Sequence, residues 1–279
     1  MPTRNTADEH PAGSATDTLM NGRLVTVTAF RTATGLLVPA VTTAQMREVD
    51  RIAINEVGPN LYQMMENAGR NMASQCAQSL GAAWTQVPIV VLAGTGGNGG
   101  GGICAARHLA NHGGNVTVVV SDLSRLAGVP AEQLALYRAA GGRVSDVSEL
   151  AAMEPALVVD AVIGYSLGGA PAGVVADLIR WMCGQAAPVI SLDVPSGVES
   201  TTGETPGAHV RATTTMTLAL PKTGLDADAV GELWLADIGI PREVYRRVGL
   251  SAPEGLYAPG YRVRLEAING SDSQLTSVN

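Results

Sequence analysis

Nine residues constrain this chain more than any others: Gly94-Thr95-Gly96-Gly97-Asn98-Gly99-Gly100-Gly101-Gly102, seven of them glycine. They follow the apolar run Pro88–Ala93, which reads as a buried strand, and precede Ile103–His112, which reads as a helix. Glycines at a strand-to-helix turn admit positive φ and let a ligand approach the main chain. The unpaired N–H groups that open the following helix attract negative charge. The stretch therefore predicts a cradle for an anionic, nucleotide-like ligand. No Gly-Lys-Ser/Thr follows it, so it is not a Walker A site.

The rest of the composition narrows the setting. A chain of 279 residues with 46% hydrophobic content can bury a large α/β core, and with 4% aromatics that core must be Ala, Val, Leu, Ile and Met. A net charge of −7 argues against nucleic acid as the main partner. No apolar run reaches the roughly 20 residues of a membrane span. Cys76, Cys104 and Cys183 form no metal or redox spacing. That pattern points to reduced thiols in the cytoplasm. Cys104, beside the glycine run, reads as a small core residue.

From the N-terminus, a polar stretch without an apolar core is neither a secretory signal nor, with Asp8, Glu9 and Asp17, a mitochondrial presequence. Residues 1–40 read as a largely disordered tail, 41–250 as one domain, and 251–279 as an appendage. Thr42-Thr43-Ala44-Gln45 predicts a capping box opening a helix that Gly58-Pro59 stops. A second helix is expected over Tyr62–Leu80. From Pro88 onward strands and helices alternate. Strands are expected at Asn115–Val120, Leu157–Ile163, Val189–Leu192, Thr214–Leu220 and finally Glu232–Ala236, with helices at Ala131–Ala140 and Gly173–Gly184. Near-continuous apolar strands in this alternation predict a mostly parallel sheet with helices on both faces. Ligands of such sheets bind beyond the carboxyl ends of the strands.

Three strand ends carry notable residues. The first is the glycine run. The second is Asp160-Ala161-Val162-Ile163-Gly164, where a carboxylate inside an apolar strand needs a partner. The third is Asp193-Val194-Pro195-Ser196-Gly197, where a strand exits beside a rigid Pro. Lys222 follows a strand as Pro221-Lys222 and offers a positive charge, or is simply solvated. Two generic patterns compete. Gly94-x-Gly96-x-x-Gly99, with Asp122 ending the next strand, matches a dinucleotide fingerprint. Gly164-Tyr165-Ser166-Leu167-Gly168, followed by Asp193 and His209, matches a hydrolase nucleophile elbow. The elbow requires a helix after its serine, and Gly168-Gly169-Ala170-Pro171 does not support one.

Taken together and in order, the motifs resemble the NAD(P)H-hydrate epimerase family. The resemblance spans about Val41 to Tyr245. It is carried by Met65-Glu66-Asn67-Ala68-Gly69, the glycine run, Ala105-Ala106-Arg107-His108-Leu109, Asp160–Gly164, Asp193–Gly197, Pro221-Lys222 and Asp237-Ile238-Gly239-Ile240-Pro241. It implies a three-layer αβα Rossmann-like domain, a homodimer, and epimerisation of the R and S forms of hydrated NADH and NADPH. It implies a potassium ion held by Asn98, Asp160 and Ser196. The implied substrate contacts are Gly97, Asn98, Gly99, Gly100 and Gly101, then Gly164, Tyr165, Ser166, Leu167, Gly168, Gly169 and Ala170, and Asp193. The family loop usually reads Gly-Asn-Asn-Gly-Gly-Asp-Gly, and here Gly97 and Gly101 replace its first Asn and its Asp. Many relatives also carry a fused dehydratase, so the resemblance implies a separate dehydratase as functional partner.

Inverting the hemiaminal carbon of the substrate needs a proton delivered and a proton removed. Asp193 is the expected acid/base, Lys222 its electrostatic support, and Asp160 the ligand of the cation. The competing expectations are a non-catalytic nucleotide-binding scaffold on the same fold, which Gly97 and Gly101 favour, and an NAD-dependent dehydrogenase.

Overall fold

The computed structural model describes residues 29–225 and 228–268. A ten-stranded sheet runs through it in the order β2-β1-β10-β9-β8-β7-β6-β3-β4-β5. The strands are β1 (Ala29–Thr32), β2 (Leu37–Val38), β3 (Pro88–Ala93), β4 (Asn115–Val120), β5 (Arg143–Ser145), β6 (Leu157–Ala161), β7 (Val189–Leu192), β8 (Thr214–Leu218), β9 (Glu232–Ala236) and β10 (Arg262–Ile268). Strands β3 to β9 are mutually parallel. The helices are α1 (Thr43–Ile52), α2 (Leu61–Leu80), α3 (Gly97–Asn111), α4 (Gly128–Ala139), α5 (Gly173–Cys183) and α6 (Arg242–Arg247).

Strand alternation sorts the core into layers. Ile89, Val91 and Ala93 of β3 face one side, with Met72 of α2, Ile103 and Leu109 of α3, and Tyr137 of α4. Val90 and Leu92 face the other, with Leu178, Ile179 and Met182 of α5. A third cluster joins Met46 and Val49 of α1 to Leu233, Leu235, Val263 and Leu265. This is the three-layer αβα arrangement expected. The capping box at Thr42 and Gln45 forms. A second one, Asn60 with Gln63, opens α2 and escaped sequence reading.

Both margins of the expected domain need correction. Residues 29–38, assigned to the tail, form β1 and β2. Residues 262–268, assigned to the appendage, form β10, so Glu232–Ala236 is not the last strand. These outer strands pair antiparallel with each other and with β9. β1 and β2 are short, and β10 carries Arg262, Arg264 and Glu266 on alternate positions, which masks a strand in a one-dimensional reading. The remaining tail and appendage residues lie outside the described ones.

Chain order creates the site. From β3 the chain crosses outward to β4, whereas β6, on the other side of β3, continues toward β7. The loops leaving β3 and β6 therefore diverge, and a crevice opens between them, as at the switch points of other open α/β sheets.

Candidate active site at the switch point

Most of the glycine run is helix, not loop. Its helix starts at Gly97 rather than Ile103, with Gly96 as N-cap. None of these glycines has a positive φ. Their role is close approach. A Cβ at Gly99 would lie 1.9 Å from the Gly94 carbonyl oxygen, at Gly100 2.7 Å from Met65 Sδ, and at Gly102 2.4 Å from Ala161 Cβ. Gly69 of α2 meets Cys104 in the same way, at 2.5 Å from Sγ. Each helical Gly costs about 1 kcal/mol relative to Ala. Here that cost admits a helix start pressed onto the sheet and α2. At Gly101 a Cβ would meet the flexible end of Leu192 at 2.9 Å, and at Gly97 only Met65 Cε at 3.8 Å.

A cavity of about 210 Å³ opens beside this helix start, lined by Asn98, Gly164, Tyr165, Asp193, Lys222 and, from α1, Asp50. Met46, Met64, Met65 and Leu192 supply apolar wall. Of the other substrate contacts expected, Gly97, Gly101 and Ser166 also line it. Gly99 and Gly100 do not, being used up in packing. Leu167, Gly168, Gly169 and Ala170 lie outside its wall, and the last three are exposed.

Asp193 stands just past β7 with φ at 72°. Its peptide closes a three-residue turn, Val194 N–H donating to the Leu192 carbonyl at 3.0 Å. A γ-turn of this hand is strained, and such strain persists where surroundings over-determine it. The surroundings here are specific. Asp193 Oδ1 accepts from Leu218 N–H at 3.2 Å and from the Lys222 ammonium, and Oδ2 accepts from Tyr165 N–H at 3.1 Å. Lys222 also donates to the Leu218 carbonyl at 2.9 Å and Thr217 Oγ1 at 3.2 Å. The pair is buried, at 5% and 1% side-chain exposure. Lys222 is thus no solvated lysine. A matching γ-turn at Ala219 (φ 65°, Leu220 N–H to Leu218 carbonyl at 2.8 Å) ends β8 and turns the chain toward Lys222.

Asp160 is fully buried one strand away. It lies in a register row with Leu92, Ser191 and Thr215. Oδ1 accepts from Ser196 Oγ at 2.5 Å and Val162 N–H at 3.3 Å, and Oδ2 from Ser191 Oγ and Ser196 N–H, both at 2.8 Å. All four donors are neutral. Burial raises its pKa, and the Ser196 and Ser191 bonds only partly oppose this. Ser196 Oγ also accepts from Ile163 N–H at 2.8 Å. The structure thus joins Asp160 to Ser196. Asn98 lines the cavity, and its buried Nδ2 has no hydrogen-bond partner among the described residues. Gly164 separates it from Asp193: a Cβ there would lie 3.2 Å from both Asn98 Cγ and Asp193 Oδ2.

Sequence reading missed Asp50. Tyr165 O–H donates to its Oδ2 at 2.6 Å. The Lys222 ammonium lies 5.9 Å from the Tyr165 ring centroid, and Ser200 Oγ donates to the Tyr165 carbonyl at 2.8 Å. No sequence signal marks Asp50, which lies between two apolar positions of α1.

The competing patterns dissolve. Ser166 is followed by irregular chain, not a helix, and His209 is half-buried with its ring against the Gly207 carbonyl, not beside Ser166. Asp122 caps a short turn through Ser124 N–H at 3.0 Å. A cluster of Glu66, Cys104 and His108 resembles a metal site. However, the Arg107 guanidinium already sits on Glu66 at 2.5 Å and on Cys104 Sγ at 3.4 Å, so the cluster holds its own cation. Burial pushes the Cys104 thiol up to about 12, which keeps it protonated. Among the described residues no helix is long and apolar enough to cross a membrane.

Comparison with known proteins bears on this site. The family model for the YjeF-related protein N-terminus matches residues 61–224. An NAD(P)H-hydrate epimerase of Dehalogenimonas lykanthroporepellens is 52% identical over 238 residues, covering 85% of this chain and 97% of that protein. A bifunctional NAD(P)H-hydrate repair enzyme of Salinibacter ruber is 35% identical, covering 77% of this chain but 43% of that protein. A crystal structure of the yeast protein YNL200c superposes with a TM-score of 0.69 at 21% identity, covering 77% of this chain and 95% of the yeast chain, which is a likeness of fold.

Proposed function

The chain belongs to the NAD(P)H-hydrate epimerase family, and from that premise we propose that the cavity at the β3–β6 switch point interconverts the R and S forms of hydrated NADH and NADPH. The observation that carries this is the buried Asp193–Lys222 pair set on a strained turn in the cavity wall. The cavity is smaller than the roughly 300–1,000 Å³ of sites that enclose a whole drug-sized ligand. It therefore takes the hydrated nicotinamide end, and the rest of the nucleotide runs out over the mouth. Negative phosphates there are favoured by the open N–H groups at the start of α3.

The substrate carbon carries a hydroxyl and the ring nitrogen. Its inversion proceeds by loss and return of water or by ring opening and closure. Either route delivers one proton to the substrate and removes one. Asp193 Oδ2 carries one hydrogen bond, from Tyr165 N–H, which leaves a lone pair for this transfer. Oδ1 is fully engaged by Lys222 and Leu218, which fix the carboxyl plane. Lys222 thereby orients the acid/base and offsets its charge.

A potassium ion fits the neighbouring residues. Asp160 is a buried carboxylate with no cation facing it among the described residues, and its surroundings offer hard oxygen ligands. The unpartnered amide of Asn98 is also consistent, since a half-turn about its last bond presents oxygen in place of nitrogen. Asp160, Ser196 and Asn98 would hold the ion, which would balance the Asp160 charge and fix the loops around the crevice. The same reading includes a homodimer and a functional link to a hydrate dehydratase.

The test is to mix the protein with each hydrate epimer and follow interconversion by chromatography, subtracting the uncatalysed rate. Accelerated approach to the same mixture from both sides is expected. Binding without acceleration would return the scaffold reading.

A further inference from the structure

We infer that Asp50 is a second proton-transfer residue of this cavity, acting on the same substrate as Asp193 and held in place by Tyr165. The inference rests on the epimerase reading. One carboxyl is enough to move a proton on and off a single face. Inversion through loss and return of water uses two faces, and so calls for a donor where the hydroxyl departs and an acceptor where water returns.

Asp50 meets the structural requirements. It lines the cavity with Asp193 and comes from a different element, α1. The two carboxyls are set one tyrosine side chain apart: Tyr165 N–H holds Asp193 Oδ2 at 3.1 Å, and Tyr165 O–H holds Asp50 Oδ2 at 2.6 Å. Asp50 Oδ1 has no hydrogen-bond partner among the described residues and is the free oxygen. The partners also differ in kind. Asp193 faces an ammonium, whereas Asp50 is held by a phenol hydroxyl. Burial raises the pKa of Asp50, against smaller lowering effects of Tyr165 and Lys222, while the Asp193 charge adds to the rise. Two carboxyls in contrasting environments are a recurrent way to set one acid against one base.

The chemistry balances. A proton on Asp50 Oδ1 passes to the departing hydroxyl. The C–O bond breaks with its electron pair on the leaving water, and the ring-nitrogen lone pair makes a C=N bond. Water adds to the opposite face, the C=N pair returns to nitrogen, and the surplus proton goes to Asp193 Oδ2. Exchange with solvent at the open mouth restores both carboxyls. Tyr165 is a positioning residue: its ring separates the two groups and its hydroxyl orients Asp50.

The charged and titratable groups facing Asp50 are Tyr165, Lys222 and Asp193, and it in turn acts on Tyr245. Arg47 acts on Tyr165 from the same helix as Asp50. Since the protonated form is the donor, turnover should fall as pH rises through the Asp50 pKa. The experiment is a pH profile of kcat and KM for wild type, Asp50→Asn and Tyr165→Phe, with folding checked by circular dichroism. Asp50→Asn should lose about 10²-fold or more in kcat, keep KM within a few-fold, and lose the high-pH limb. Tyr165→Phe removes a bond that lowers the Asp50 pKa, so its limb should move to higher pH, with a smaller loss. An unchanged limb in either folded variant overturns the inference. If Asp50→Asn does not fold, Tyr165→Phe decides alone. A wild type that interconverts neither hydrate fails at the level of the proposed function instead.

Discussion

Asp160 and Asp193 are the same residue type, both buried, at the carboxyl ends of neighbouring strands. Asp160 remains in regular strand geometry, and its four bonds come from hydroxyls and main-chain amides. It does not line the cavity. Asp193 lies one step off its strand, on a strained turn, beside an ammonium, and in the cavity wall. The contrast teaches that burial does not assign a role. Asp160 gathers only neutral donors, whereas Asp193 meets an ammonium and lines the cavity. Strain is spent only on the second.

The largest effect should come from breaking the reactive side. Asp193→Asn keeps the shape but not the proton chemistry, so kcat should fall by about 10²–10⁴-fold with KM altered far less. Measurement at saturating substrate checks it. A rise in KM at unchanged kcat would make Asp193 a binding group and erase the contrast.

Next comes the pair that distinguishes the two carboxylates. Lys222→Met leaves Asp193 buried without its cation and should cost about 3–5 kcal/mol of stability, read by urea unfolding. The double variant Lys222→Met with Asp193→Asn should recover part of that loss. No recovery would mean that the lysine stabilises through its own packing.

Potassium should separate the two carboxylates again. An ion bound only by the folded state at about 100 times its dissociation constant adds about 2.7 kcal/mol. The melting temperature of the wild type should rise with potassium. Asp160→Ala should abolish that response, while Asp193→Asn should retain it. Equal responses in wild type and Asp160→Ala remove Asp160 from the cation site.

The smallest effect gauges the strain itself. Asp193 cannot be relaxed without losing its carboxyl, but its structural twin Ala219 can. Ala219→Gly suits φ of 65° and should stabilise by about 1 kcal/mol, the low end for a strained non-glycine residue. A loss of stability would show that the turn is not strained and that its methyl packs usefully.

Much of the frame was legible in the chain. β3, β4, β7 and β9 fall where the apolar runs place them, because a strand buried on both faces must be apolar at nearly every position. Asp160 and Asp193 stood out as charges interrupting or ending such runs. The glycine run was recognised, but its reason was misread. Sequence suggested backbone freedom, and the structure shows proximity to Gly94, Met65 and Ala161. β1 and β10 are harder to read in one dimension because they pair with each other from opposite ends of the chain, as Ala29 does with Ile268.

What the sequence determined by itself was therefore the local grammar: alternating strands and helices, the caps, the family motifs, and the positions where polar groups leave apolar strands. Periodicity and propensity act within a few residues, so they survive in one dimension. What only the tertiary structure decided was company. Lys222 reaches Asp193 across 29 residues, and Tyr165 reaches Asp50 across 115. Sheet order and register bring these groups together. Whether a carboxyl meets an ammonium, a phenol or only neutral hydroxyls and amides depends on that three-dimensional neighbourhood, because electrostatic interactions in a low-dielectric interior are set by distance and exposure, not by separation along the chain.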